Sequence, residues 1–342
     1  MRKAMKAVAY YRNQPIAQPE SLLDLNLPEP VIGEFDLLVE VKAISVNPVD
    51  VKIRTNVAPE GDAAKVIGWD VAGIVRAAGA KASLFRPGDR VWYAGSLARA
   101  GANSELHAVD ERVVGRMPAK LGFVEAAALP LTSITAWELL FDRLQVLNND
   151  APAGKSLLII GAAGGVGSIL TQLARQLTGL TVIGTASRAE TVEWVRNLGA
   201  HHVIDHTQPL EAQLHDLGFA GGVDFIAGLN QSGAHFAQMA AVIAPQGKIA
   251  LIDDPDMIDV RLLKRKSVSL HWEFMFTRSF FGTDDMAKQH QLLNRVADLI
   301  DAGTIKSTVA ENFGRINAAN LKRAHALIES NRVKGKIVLE GF

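Results

Sequence analysis

One stretch constrains the fold more than any other: Leu157-Leu158-Ile159-Ile160-Gly161-Ala162-Ala163-Gly164-Gly165-Val166-Gly167. Four apolar residues of buried-strand type run straight into a glycine-rich turn. Beyond it, Val166, Ile169, Leu170, Leu173, Ala174 and Leu177 repeat at i, i+3, i+4, i+7, i+8 and i+11, the stripe of an amphipathic helix that Gly179 is placed to end. A strand turning this tightly into a helix leaves helix N–H groups unpaired and, without Cβ atoms in the way, lets an anion approach the backbone. A dinucleotide pyrophosphate needs both, which makes Gly164, Gly165, Val166 and Gly167 cofactor-binding candidates. The first glycine of the usual G-x-G-x-x-G is Ala162 here, so the motif is a variant; a turn that only allows close helix–strand packing is the plainer alternative. An ATP-type phosphate loop lacks its Lys-Ser/Thr pair.

The surrounding chain supplies the context such a turn requires. Strand patterns at Ser156–Ile160, Leu180–Gly184, His202–Ile204, Val223–Ala227 and Lys248–Ile252 alternate with helix patterns from Val166, from Ala189 and around Ser232–Ile243, which predicts a parallel sheet covered by helices on both faces. The first 120 residues instead read as short strands, among them Ala4–Tyr10, Phe35–Ser45, Asp70–Ala77 and Arg90–Tyr93, broken by turns such as Arg86-Pro87-Gly88-Asp89. Helical patterns return at Asp284–Ala302 and Asn317–Ser330 before a final strand, Lys336–Leu339. At 342 residues the chain exceeds what one core usually supports, so two domains or one interrupted domain are expected.

The choice of dinucleotide is read at the end of the second strand of the alternating region, Gly184-Thr185-Ala186-Ser187-Arg188. An NAD enzyme places an acid there for the ribose hydroxyls. Ser187 and Arg188 instead suit a 2′-phosphate by hydrogen bond and charge, which favours NADPH. Ser187-Arg188-Ala189-Glu190 also reads as a helix capping box, and both roles are compatible with one hydroxyl. His206, after the third strand, is a candidate wall of the same pocket or a plain loop histidine.

Composition narrows the function classes. Lys+Arg and Asp+Glu both total 36, so the formal charge is zero and the broad basic footprint of a nucleic-acid or anionic-membrane partner is missing. The start, Met1 to Lys6, enters a strand pattern with no leader-like apolar run, and no run of about 18 apolar residues appears; a cytoplasmic protein is expected. There is no cysteine, which excludes disulfides, a thiolate nucleophile and every thiolate zinc site. A histidine site from His201, His202 and His206 is disfavoured, since adjacent residues in a strand point to opposite faces.

Five motifs in fixed order extend the reading to the whole chain: Asn47-Pro48-Val49-Asp50-Val51-Lys52, Gly68-Trp69-Asp70-Val71-Ala72-Gly73, Arg86-Pro87-Gly88-Asp89-Arg90-Val91, Leu129 to Trp137, and Ala162 to Gly167. With them the chain resembles the zinc-free, quinone oxidoreductase-like branch of the medium-chain dehydrogenase/reductase superfamily, and its tail resembles the zinc-type alcohol dehydrogenase-like subgroup. The resemblance implies an α/β protein: a GroES-like β-rich catalytic domain from residues 1–128 and 276–342, and a doubly wound Rossmann domain for NADPH from residues 129–275. It also implies a homodimer joined along an edge strand at Ser267–Phe276.

At the motif positions where metal-dependent relatives carry a Cys, a His and a second Cys, this chain has Asn47, Trp69 and Leu131, so no zinc is expected. Without a metal to polarise an alcohol, the easier substrates are quinones and α,β-unsaturated carbonyls, whose conjugation moves the incoming charge to an oxygen. A metal-free alcohol or aldehyde reductase and a non-catalytic NADPH-binding protein are the competing readings. The resemblance suggests Asn47, Lys52 and Thr135 as catalytic candidates: Asn47 as an amide donor to substrate or ribose, or a turn residue; Lys52 as a donor to the developing enolate, or a solvated lysine; Thr135 beside the nicotinamide. Trp69 and Arg278 are pocket candidates, and Ile252 and Lys336 complete the cofactor candidates.

Overall fold

The computed structural model describes residues 3–146 and 154–342. It divides into two compact units, Met1–Ile134 with Phe276–Phe342, and Thr135–Met275. The first crossing therefore falls inside a helix, after the 128/129 boundary expected from the motifs.

The first unit opens with β1 (Ala4–Tyr10), β2 (Leu23–Pro28), β3 (Asp36–Val46), α1 (Pro48–Asn56), β4 (Lys65–Val66), β5 (Val71–Ala78), β6 (Arg90–Tyr93), β7 (Leu106–Asp110), β8 (Val114–Arg116) and α2 (Phe123–Ala127). Helix α3 (Pro130–Trp137) carries the chain into the second unit and continues as a wider π-type turn over Glu138–Arg143. There follow β9 (Ser156–Ile160), α4 (Gly165–Leu177), β10 (Thr181–Thr185), α5 (Ala189–Asn197), β11 (His202–Ile204), α6 (Leu210–Asp216), β12 (Val223–Gly228), α7 (Ser232–Val242), β13 (Ile243–Leu251) and β14 (Ser269–Trp272). The chain then returns to the first unit with α8 (Thr277–Phe281), α9 (Lys288–Asp301), β15 (Val309–Asn312), α10 (Ala318–Glu329) and β16 (Lys336–Glu340).

In the second unit the sheet order is β11-β10-β9-β12-β13-β14, every pair parallel. All five residues of β9 are buried, as the centre of a sheet covered on both faces requires. The chain builds outward to β11 and then crosses to β12 on the other side of β9. That reversal is the switch point at which doubly wound sheets open a crevice at their carboxyl ends. Helix α4 buries Ile169, Leu170, Leu173 and Ala174, but it ends at Thr178, whose Oγ1 donates to Ala174 O at 2.6 Å, one residue before the glycine expected to stop it.

The first unit is mostly antiparallel. A seven-stranded sheet runs β15-β16-β3-β5-β6-β8, with β7 also paired to β3, and β2-β1-β4 form a smaller sheet. The C-terminal strand β16 lies against β3 with Ile337 opposite Val46, while β5 flanks β3 on its other side with Val71 opposite Ile44. Two registers thus bring Lys336 and Asp70 to the end of β3, where Asn47 begins α1.

One helical stretch, Phe123–Arg143, is long and apolar enough on average to cross a membrane, but 78% of its most apolar window is buried inside the structure, as in a core helix.

Candidate active site

The glycine-rich turn sits at the carboxyl end of β9, beside the switch point. Gly161 has φ +86°, a left-handed conformation in which glycine is unstrained, and it does the turning that the motif's first glycine would do. Its N–H donates to Thr185 Oγ1 at 3.1 Å, and its carbonyl accepts from Gly164 N at 3.2 Å. A Cβ on Gly167 would come 2.4 Å from Gly161 O and 2.6 Å from Ala162 Cα, so that position needs glycine for close helix–strand contact. Gly164 caps α4 without any side-chain bond, and the first helical bond is Ser168 N to Gly164 O at 2.8 Å. The N–H groups of Gly165, Val166 and Gly167 therefore lack helical acceptors and form an anion cradle. These residues fit a dinucleotide pyrophosphate.

Around this turn the other cofactor candidates take different settings. Ser187 is exposed, but the expected Ser187–Glu190 capping box does not form. Arg188 is the N-cap instead: its N–H donates to Thr191 Oγ1 at 3.3 Å, and that hydroxyl donates to Arg188 O at 2.8 Å. Glu190 turns to the Arg188 guanidinium, Nη1 to Oε1 3.1 Å. His206 is half-buried, its ring edge-on to His235 at 6.0 Å, and burial lowers the pKa of His235 with help from the neighbouring His206. Ile252 closes the end of β13, its N–H donating to Gly228 O at 3.2 Å.

In the first unit a buried polar knot joins three strands. Asp70 Oδ2 accepts from Ser45 Oγ at 2.7 Å, Asn47 Nδ2 at 3.1 Å and Lys336 Nζ at 3.1 Å, while Oδ1 accepts from Leu131 N at 3.0 Å. Lys336 Nζ also donates to Asn47 Oδ1 and, at 3.2 Å, to Val46 O. Burial pushes the Asp70 carboxyl above its usual range, and Lys336 with the hydrogen bonds from Leu131, Asn47 and Ser45 opposes that. Asp50 Oδ2 accepts from Asn47 N at 2.7 Å, closing the first turn of α1, and burial pushes this carboxyl up to about 7.

This knot corrects two expectations. Asn47 directs its amide at Asp70 and at Ser45 O rather than outward to a substrate or ribose, and Lys336 is enclosed by three oxygens rather than presented to a cofactor. Trp69 is buried, with Nε1 donating to Ser96 O at 3.1 Å and its ring edge-on to Phe276 at 6.4 Å. Lys52 is exposed on α1, two residues past Asp50. Thr135 is buried in α3, and Arg278 is buried with Nε held by Asp285 Oδ2 at 3.1 Å. Gly161, Thr185 and Ser45 have no role in the sequence reading, and Glu190 has one only as a capping residue. A glycine directly after a buried strand was the available signal for the first; the others depend on register and side-chain direction.

The donor set does not fit a zinc ion. Trp69 and Leu131 offer no lone pair, and Asn47 Oδ1 and Asp70 Oδ2 already hold the Lys336 ammonium. His201 Nδ1 accepts from Val182 N at 2.9 Å, while His202 and His206 pack against different rings. Among the described residues no three His, Cys, Asp or Glu side chains are grouped to hold a metal ion.

Residues 33–133 match the alcohol dehydrogenase GroES-like domain, and residues 198–339 match the zinc-binding dehydrogenase domain. With the fold and the glycine-rich turn, this places the chain in the medium-chain dehydrogenase/reductase superfamily, in its quinone oxidoreductase-like branch, as an oxidoreductase. A zinc-type alcohol dehydrogenase-like protein of Staphylococcus epidermidis is 37% identical over 98% of this chain and 99% of its own. A Rhizobium etli protein provisionally assigned as a zinc-dependent alcohol dehydrogenase superposes with a TM-score of 0.97 at 56% identity, covering 100% of this chain and 99% of its own. The Escherichia coli quinone oxidoreductase, solved with NADPH, superposes with a TM-score of 0.84 at 25% identity, covering 98% of this chain and 100% of its own.

Proposed function

We propose that the protein is an NADPH-dependent reductase of quinones or α,β-unsaturated carbonyls that works without a metal. The observation that carries this is the pairing of an anion cradle at Gly164–Gly167 with a motif site whose four positions are Asn47, Trp69, Asp70 and Leu131. The first suits a dinucleotide; the second gives no electrophile for an alcohol oxygen. The quinone oxidoreductase relative, solved with NADPH, supports the same choice.

Bound NADPH supplies the hydride. In this reading the N–H groups of Gly165, Val166 and Gly167 hold the pyrophosphate, Arg188 and Ser187 take the 2′-phosphate, and Thr135 lies against the nicotinamide. Lys52, exposed on α1, donates a hydrogen bond or proton to the oxygen that gains charge. Asn47, Asp70 and Lys336 act indirectly, by fixing the start of α1 and hence the direction of Lys52. The zero formal charge keeps nucleic acid and membrane out of the reading, a cytoplasmic setting is part of it, and the working form is a homodimer joined along β14.

The test follows NADPH oxidation over 1,4-quinones, alkenals, saturated aldehydes and alcohols. Turnover on conjugated substrates and none on saturated aldehydes is expected; aldehyde reduction alone, or tight NADPH binding with no turnover of any class, rejects the reading. On the best substrate, Lys52→Ala lowers kcat by about 100-fold or more while the NADPH dissociation constant stays within about twofold. Unchanged kcat removes Lys52 from the mechanism.

A further inference from the structure

No carboxylate ends β10, and the next one along the chain is Glu190, in the first turn of α5. Glu190 Oε1 lies 3.1 Å from Arg188 Nη1, with the two side chains 58% and 42% exposed. We propose that Glu190 is a specificity-determining residue that tempers the preference for NADPH and keeps NADH usable. The inference rests on the reading of Arg188 as the partner of the 2′-phosphate.

Three consequences of charge lead there. A 2′-phosphate must share Arg188 with a carboxylate already bonded to it. Any dianion that Arg188 holds also lies close to Glu190, and like charges so near one another repel. A ribose 2′-hydroxyl meets the opposite situation, because Glu190 can accept a hydrogen bond from it, which is the role an acid takes in NAD enzymes. Exposure and salt keep each effect small, so the outcome is dual specificity rather than a reversal of preference.

The test measures dissociation constants for NADPH and NADH by fluorescence titration of wild type, Glu190→Gln, Arg188→Ala and, as a control one turn along the same helix, Glu193→Gln. For Glu190→Gln the NADPH constant should fall about threefold, with about fivefold as the ceiling for an exposed pair, while the NADH constant rises. The gain should shrink between 20 mM and 300 mM salt, as expected for exposed charges at roughly one Debye length. Arg188→Ala should weaken NADPH and leave NADH unaffected.

A wild-type protein that binds NADH more tightly than NADPH, or binds neither, rejects the underlying cofactor reading. If wild type prefers NADPH and Arg188→Ala abolishes that preference, the reading stands. In that case a Glu190→Gln ratio within twofold of wild type, or an equal gain from Glu193→Gln, overturns the role of Glu190. A small loss of melting temperature with an unmoved ratio assigns Glu190 to helix capping instead, where an acid in the first turn favours the dipole.

Discussion

Asp70 is fully buried, and its charge is held by one ammonium and three neutral donors. Removing one partner of such a pair costs far more than removing both, because the survivor keeps its desolvation penalty and loses its compensation. Lys336→Met should therefore lower the stability of the first unit by about 3 to 5 kcal/mol. Asp70→Asn combined with Lys336→Met should recover most of the loss, since the amide needs no counter-charge. Denaturant midpoints of the wild type and both variants check this. Equal losses in the single and double variants would show that Lys336 matters for its shape rather than its charge.

At the level of elements, β14 ends its sheet with one side unpaired, and Trp272 and Phe274 beside it are 52% and 48% exposed. An unpaired edge flanked by aromatics is a template for a second copy, which a soluble monomer would blunt with charge. Trp272→Glu with Phe274→Glu should convert a dimer into a monomer in light scattering at micromolar concentration; a monomeric wild type refutes the edge as an interface. The legibility of elements follows the same physics. β1, β6, β9 and β11 were readable to the residue, and α4 nearly so, because one apolar pattern dominates each. Short strands such as β4, β7 and β8 were not, since their pairing partners lie far away in sequence and no local period marks them. In the candidate site, the glycine turn was legible because backbone conformation is a local property. The knot of Asn47, Asp70 and Lys336 was not, because it depends on two strand registers, one of which joins β3 to a strand almost three hundred positions away.

For the whole molecule, four buried titratable groups set opposing pH dependences. Burial holds His325 down to about 3, with Arg54 adding to the effect, and His107 down to about 4. Burial lifts Asp50 to about 7 and, with Glu138 beside it, Glu273 to about 8. Between each histidine's native value and its unfolded value near 6.5, the unfolded chain binds the extra proton, so stability rises with pH. For the two acids the native state holds the extra proton from about 4 upward, so stability falls as pH rises toward 7 and 8. From about 4.5 to 6.5 the two histidines oppose Asp50 and Glu273, two protons against two, and buried Asp70, also raised, adds to the side of the acids. Below that window the unfolded acids are also protonated and only the histidine effect remains, joined by carboxyls held low by their partners, such as Asp36 by Arg99 against its burial, and Asp285 by Thr283 and then Arg278. Above it the unfolded histidines are neutral and only the acid effect remains. Chemical denaturation across pH 3 to 9 should thus give a maximum at mildly acid pH with a falling limb on each side. His325→Leu should flatten the acid limb, whereas a wild-type curve that climbs steadily from pH 4 to 8 would show that Asp50 and Glu273 are ionised in the native protein.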